Sequence, residues 1–237
     1  SMKKIGPGKM DLWSPLMNNE TCDTVKRGVE ELKIDYSETI SCPDANEAGE
    51  ACGECLPCQF RKTGFEEAIA TAKNANVVIM VLGENGYQSG EGRSRTDIGL
   101  PGVQQELLEA VYAVNNNIVL VLNNGRPLAF PWAAENIPAI VEAWQLGTQS
   151  GNAIAQVLYG DYNPSGKLPM TFPRNMGQIP IHYNVKSTGR PFDAVNKYTS
   201  KYLDSPNEPL YPFGFGLSYT QFEYSSITLN DKIMTKK

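Results

Sequence analysis

Histidine is almost missing from this chain: His182 is the single one among 237 residues. Metal centres built on paired imidazoles are therefore excluded. A Ser-His-Asp triad would depend on that one position, and nothing near it in sequence supplies partners. No apolar run approaches the ~20 residues that a membrane-spanning helix needs. There is no basic stripe either: 21 Lys and Arg stand against 26 Asp and Glu, a formal net charge of -5. That is the wrong sign for a nucleic-acid surface. No secretory leader follows Ser1-Met2, which reads as a cloning remnant. The chain is thus expected to be a piece of something longer, and the missing leader to carry no information on compartment. With 41% hydrophobic and 20% charged residues, the apolar fraction offsets the entropy of ordering, and one ample core is expected.

No cysteine stands after Cys58, and Cys42, Cys52, Cys55 and Cys58 fall close together in CPDANEAGEACGECLPC, with Cys22 apart. A C-x2-C-x2-C run brings thiols near enough to oxidise locally or share a metal, and both readings stay open beside free thiols. Glu, Gly and Pro surround the run, so 42–64 reads as an insertion loop rather than core.

Along the chain, Val25, Val29 and Leu32 recur at helical spacing, and Ile34 to Ile40 alternates like a short strand. Residues 65–75 predict a helix with Phe65, Ala68, Ile69 and Ala72 on one face. The run 76–83, ending in Gly83, has no polar alternation, as expected of a parallel strand buried on both faces. A polar loop follows to Pro101, then a helix over 102–114, a second buried strand over 117–122, a weaker third over 138–144 and a helix over 151–159. This rhythm predicts an α/β fold with a mostly parallel sheet and right-handed crossovers. Residues 160–222 read as a loop-dominated wrap rich in Pro, Gly, Asn and Tyr.

Two phosphate-loop likenesses fail on chemistry. Gly160-Asp-Tyr-Asn-Pro-Ser-Gly166-Lys167 has one residue too many between its glycines, Leu168 where a magnesium-binding hydroxyl belongs, and a helix before it. Gly214-Phe-Gly216 lacks a third glycine and follows no buried strand. The loop 83–101 is a better candidate, since functional loops leave the carboxyl ends of strands in such sheets. It collects Glu84, Glu91, Arg93, Arg95 and Asp97, with glycines that let the backbone turn and present a carboxylate. Arg93 or Arg95 is expected to hold Asp97 and stiffen the loop. Asn123, Asn124 and Arg126 leave the next strand and are expected to brace it; Trp144 is either core packing or an aromatic face for a sugar ring.

The string Gly90-Glu-Gly-Arg-Ser-Arg-Thr-Asp-Ile-Gly-Leu-Pro101 resembles the second domain of glycoside hydrolase family 3, the β-glucosidase type. Further matches follow in order: Val119-Leu-Val-Leu-Asn-Asn-Gly-Arg-Pro-Leu128, Gly151-Asn-Ala-Ile-Ala155, the stretch from Leu158 through Asn163-Pro-Ser-Gly166 to Pro173, and Leu210-Tyr-Pro-Phe-Gly-Phe-Gly-Leu-Ser-Tyr-Thr-Gln-Phe222. Gly189-Arg-Pro191 and Asn196-Lys-Tyr-Thr-Ser200 are similar to the periplasmic bacterial branch.

The resemblance implies a three-layer (α/β)6 sandwich with a mostly parallel six-stranded sheet, flavodoxin-like, over 1–224. Residues 225–237 would lead towards a fibronectin-III-like domain. The Asp nucleophile of the family lies on an N-terminal (β/α)8 barrel, which this sequence does not contain. The general acid/base, by alignment of Gly-Glu-Gly, is Glu91. Retaining hydrolysis needs two carboxyls ~5–5.5 Å apart, one attacking and one moving protons. Each domain would bring one, with a β-glucoside or β-xyloside at their junction and the isolated chain inactive. Glu84, Arg95 and Trp144 are weaker candidates for substrate contact, Glu84 being better placed to brace the loop. An exported enzyme, periplasmic or secreted, implies disulfides rather than metal at Cys42, Cys52, Cys55 and Cys58. No metal, cofactor, nucleic acid or membrane span is expected. Competing readings are a non-catalytic carbohydrate-binding or assembly module and a metal- or thiol-binding α/β domain.

Overall fold

The computed structural model describes residues 11–12, 56–187 and 189–228. The expected helix at 24–32, the strand at 34–40, and Cys22, Cys42, Cys52 and Cys55 lie outside the described residues. Four parallel strands, β1 (Asp11–Leu12), β2 (Val78–Gly83), β3 (Ile118–Asn123) and β4 (Ala139–Glu142), stand side by side in that order among the described residues. They are joined or flanked by helices α1 (Leu56–Asn74), α2 (Gln104–Val114), α3 (Pro131–Asn136) and α4 (Ser150–Tyr159).

The lack of polar alternation in β2 and β3 has a direct cause. Val78, Met80 and Leu82 of β2, with Ile118, Leu120 and Leu122 of β3, pack on one side against Ala68 and Ala72 of α1 and Leu107, Leu108 and Val111 of α2. Ile79, Val119 and Val121 face the other way, into a smaller cluster with Leu158 and Ile154 of α4. Each side of the sheet is covered, so the residues of β2 and β3 up to Leu82 and Leu122 are apolar whichever way they point. The expected α/β organisation with a parallel sheet is therefore present, in three layers.

Helix α1 begins at Leu56, so 56–64 is helix where an insertion loop was expected, and Cys58 stands in its first turns. Pro57 and Gly64 read as breakers in sequence. In the first turn, however, the amide that Pro lacks has no intrahelical partner anyway, and an internal Gly costs only ~1 kcal/mol. Helix α3 was not anticipated: it starts on Pro131 at its first position, inside a stretch that reads as a loop.

Register decides what meets at the carboxyl edge. Gly83 pairs with Asn123, and Leu122 with Glu142, so the chain leaves β2, β3 and β4 at nearly one level. Gly83 has φ +134, and a Cβ there would lie 2.1 Å from the Asn123 carbonyl oxygen; only glycine fits. Its N–H and C=O are both taken by the side-chain amide of Gln104, at 2.7 and 2.9 Å, which ends the strand and ties it to α2.

The wrap beyond α4 returns over the core. Phe172 is 1% exposed, bridges to Tyr211 and meets Phe130 and Trp144 edge-on. Tyr219 donates its hydroxyl to the Val157 carbonyl and its N–H to Asn163 Oδ1 (2.8 Å), so the tail is fastened to α4. Lys167, the false phosphate-loop lysine, donates to the Gly216 carbonyl.

Candidate active site at the carboxyl edge of the sheet

Glu84 follows Gly83 directly and is buried, with no side-chain exposure. Arg95 Nη1 donates to its Oε1 at 2.9 Å. Arg126 Nε lies 2.9 Å from the same oxygen, but off line for a hydrogen bond, so that contact is an ion pair. Glu84 Oε2 accepts the Gly125 N–H at 3.4 Å. A carboxylate removed from water requires such counter-charge. Arg95 is thus engaged with Glu84 and with the Gly99 carbonyl (3.2 Å), whereas Asp97 accepts the Gly99 N–H at 2.8 Å. The expected Arg–Asp97 pair is replaced by a pairing to the buried root of the loop, where the unmet charge is larger.

Arg126 does more than neutralise Glu84. Its Nη2 donates to the carbonyls of Gln88 (2.5 Å) and Arg93 (2.7 Å), one on each side of Glu91. Gly125 lets this turn come close: a Cβ there would lie 1.9 Å from Ser89 Oγ. The loop opens with an Asn85 side-chain turn, Oδ1 accepting the N–H groups of Tyr87 (2.9 Å) and Gln88 (3.1 Å). Glu91 sits exposed between Gly90 (φ 135) and Gly92 (φ 69), with the Arg93 N–H closing onto the Gly90 carbonyl at 3.2 Å. Among the described residues no side chain bonds or pairs with the Glu91 carboxyl. A polar hollow of about 460 Å³ opens beside it, lined by Ser89, Arg93, Ser94 and Gln145 among others.

Trp144 is partly buried and packs against the core through Phe172, their rings 5.7 Å apart at 62°. Its φ of 51 is unusual for a side chain of this size. Glu142, which the sequence reading passed over, secures it: Oε1 accepts the Trp144 N–H at 3.0 Å. Burial pushes the Glu142 carboxyl up to about 7, against the opposing pull of the bonds from Trp144 and Asn124. The one available signal was position: a lone acid closing an apolar strand. Exposed His182 takes no part in this cluster.

Residues 3–219 match the family described as Glycosyl hydrolase family 3 C-terminal domain. A periplasmic beta-glucosidase of Salmonella typhimurium is 51% identical over 73% of this chain and 23% of its own length. A beta-xylosidase of Formosa agariphila is 46% identical over 73% of this chain and 23% of its own. A crystal structure of a beta-glucosidase from Listeria innocua in complex with isofagomine superposes with TM-score 0.65 at 44% identity, covering 68% of this chain and 23% of that one. The chain thus spans under a quarter of the length of these relatives.

Proposed function

The chain belongs to glycoside hydrolase family 3, as its C-terminal domain, and on that footing we propose that it supplies the general acid/base, Glu91, of a retaining exo-acting β-glucosidase or β-xylosidase. The nucleophile comes from a barrel domain that this sequence does not contain, and the isolated chain is inactive. The observation that carries this reading is the placement of Glu91. It is an exposed carboxyl on the crest of a loop whose root is neutralised by Glu84, Arg95 and Arg126 and whose shoulders are held by Arg126. A group that must protonate a leaving oxygen and later activate water has to face outward while staying in register. The buried Glu84 is occupied by two arginines and serves as the brace. Trp144, half in the core, serves packing before sugar contact.

The names of the Salmonella and Formosa relatives support glucoside or xyloside as substrate, and the former supports an exported location. The likeness to the family also supports a sheet completed to six strands, flavodoxin-like, with 1–224 as one domain.

The test is Glu91→Gln in an enzyme carrying both domains. A dinitrophenyl glycoside barely needs protonation to leave, so its glycosylation step survives, whereas cellobiose-like substrates slow by roughly 10²–10⁴-fold. Deglycosylation then limits turnover, a burst appears, and azide, which needs no general base, restores the second step as a β-glycosyl azide. Equal slowing of both substrates with no azide effect would remove Glu91 from the chemistry.

A further inference from the structure

One acidic group at the carboxyl edge has no part in the chemistry above. Glu142 divides its two oxygens between different tasks: Oε1 holds the Trp144 N–H at 3.0 Å and Oε2 lies 3.4 Å from Asn124 Nδ2. Asn124 is fully buried, and the same nitrogen donates to the Arg126 carbonyl at 2.8 Å. Its Oδ1 is buried with no hydrogen-bond partner. A buried amide with an orphaned oxygen is unfavourable in a core, and what Asn124 provides in return is its hold on the turn carrying Arg126. Arg126 reaches from that turn to the Gln88 and Arg93 carbonyls, which bracket Glu91. The links from Glu142 to the loop are therefore continuous. The charged groups of the same edge are Glu84, Arg95 and Arg126; among the described residues none forms an ion pair with Glu142.

We propose that Glu142 is a positioning residue: through Asn124 and Arg126 it fixes segment 88–93, and with it Glu91, without touching substrate itself. Its catalytic meaning rests on the reading of Glu91 as acid/base, but the positioning is measurable on the chain alone. Arg93 and Arg95 are tryptic sites within the loop, so the rate of limited cleavage there at pH 8.5, above the titration of Glu142, reads loop opening.

Glu142→Ala and Asn124→Ala are each expected to speed cleavage at these two sites roughly tenfold, the weight of one buried hydrogen bond to a charged group. Urea midpoints measured alongside separate loop opening from global unfolding. Because both residues act along one path, the double variant should cleave no faster than the faster single one. Glu142→Gln, which keeps an acceptor for the Trp144 N–H and carries no buried charge, should cleave no faster than wild type. Unchanged cleavage in Glu142→Ala, acceleration fully accounted for by the urea shift, or additive effects in the double variant would each overturn the proposal. Glu91→Gln should leave the cleavage rate unchanged. Failure of the positioning path and failure of the acid/base role thus show up in separate measurements.

Discussion

Glu142 has a consequence for stability that its neighbours do not share. Its folded carboxyl titrates at about 7, against an ordinary value near 4.5. Between those two pH values the folded chain holds a proton that the unfolded chain has released, so stability falls as pH rises through this window. The shift corresponds to a penalty on the order of 3 kcal/mol at pH 8, absent below pH ~4.5. Glu142→Gln removes the ionisation. Its urea midpoint should be higher than wild type at pH 8, similar at pH 4.5, and nearly flat between; a wild-type midpoint that is itself flat from pH 5 to 8 would refute this. Glu84 poses the opposite case. Its carboxylate is the counter-charge for two arginines. Glu84→Gln should therefore destabilise by about 3 kcal/mol, the range found when one member of a buried pair is removed. An unchanged urea midpoint would mean that water already screens both arginines.

At the scale of elements, α1 shows how a packed face overrules local signals. Ala68 and Ala72 lie 2% and 3% exposed against the sheet, small enough to bring the helix close. Its carboxyl end is held from outside: Asn115, beyond α2, donates through Nδ2 to the carbonyls of Ala72 and Ala75, each at 2.8 Å. Carbonyls at a helix end lack the usual partner four residues on; the Ala72 carbonyl also accepts the Ala75 N–H at 3.2 Å. Asn115→Ala should cost about 1–2 kcal/mol of stability, with increased amide exchange confined to the last turn of α1 and the start of β2. Exchange rising evenly over the whole chain would assign Asn115 a different role.

For the molecule as a whole, the wrap leaves many large apolar side chains in water. Leu203 is fully exposed, Phe222 75% and Tyr224 94%, and Tyr183 stacks on Phe213 with ring centres 4.4 Å apart while remaining 70% exposed. Exposed apolar surface on this scale is characteristic of an interaction face. The chain alone should bind a hydrophobic dye and self-associate weakly, and, if the proposed two-domain arrangement holds, lose the dye signal when produced together with a barrel domain. On the proposed reading of Glu91, with its nucleophile on another domain, it should also hydrolyse no aryl β-glucoside. Turnover that disappears with Glu91→Gln in the purified chain would point to a nucleophile within these residues.

The sequence by itself determined the two central strands, because strands buried on both faces must be continuously apolar and β2 and β3 are spelled that way; the two-residue β1 carried no such mark. It also determined the loop that carries Glu91, since a polar glycine-rich segment leaving such a strand has few other places to go. The tertiary structure decided the pairings. Arg95 goes to Glu84 rather than Asp97 because the deeper carboxylate has the greater need of counter-charge, and burial is a property of the packed chain. Arg126 reaches the two shoulders of Glu91 only because the register sets Gly83 beside Asn123 and so brings two loops level. Glu142 gains its raised titration and its link to Asn124 for the same reason: neither follows from its neighbours in sequence, only from strands lying side by side.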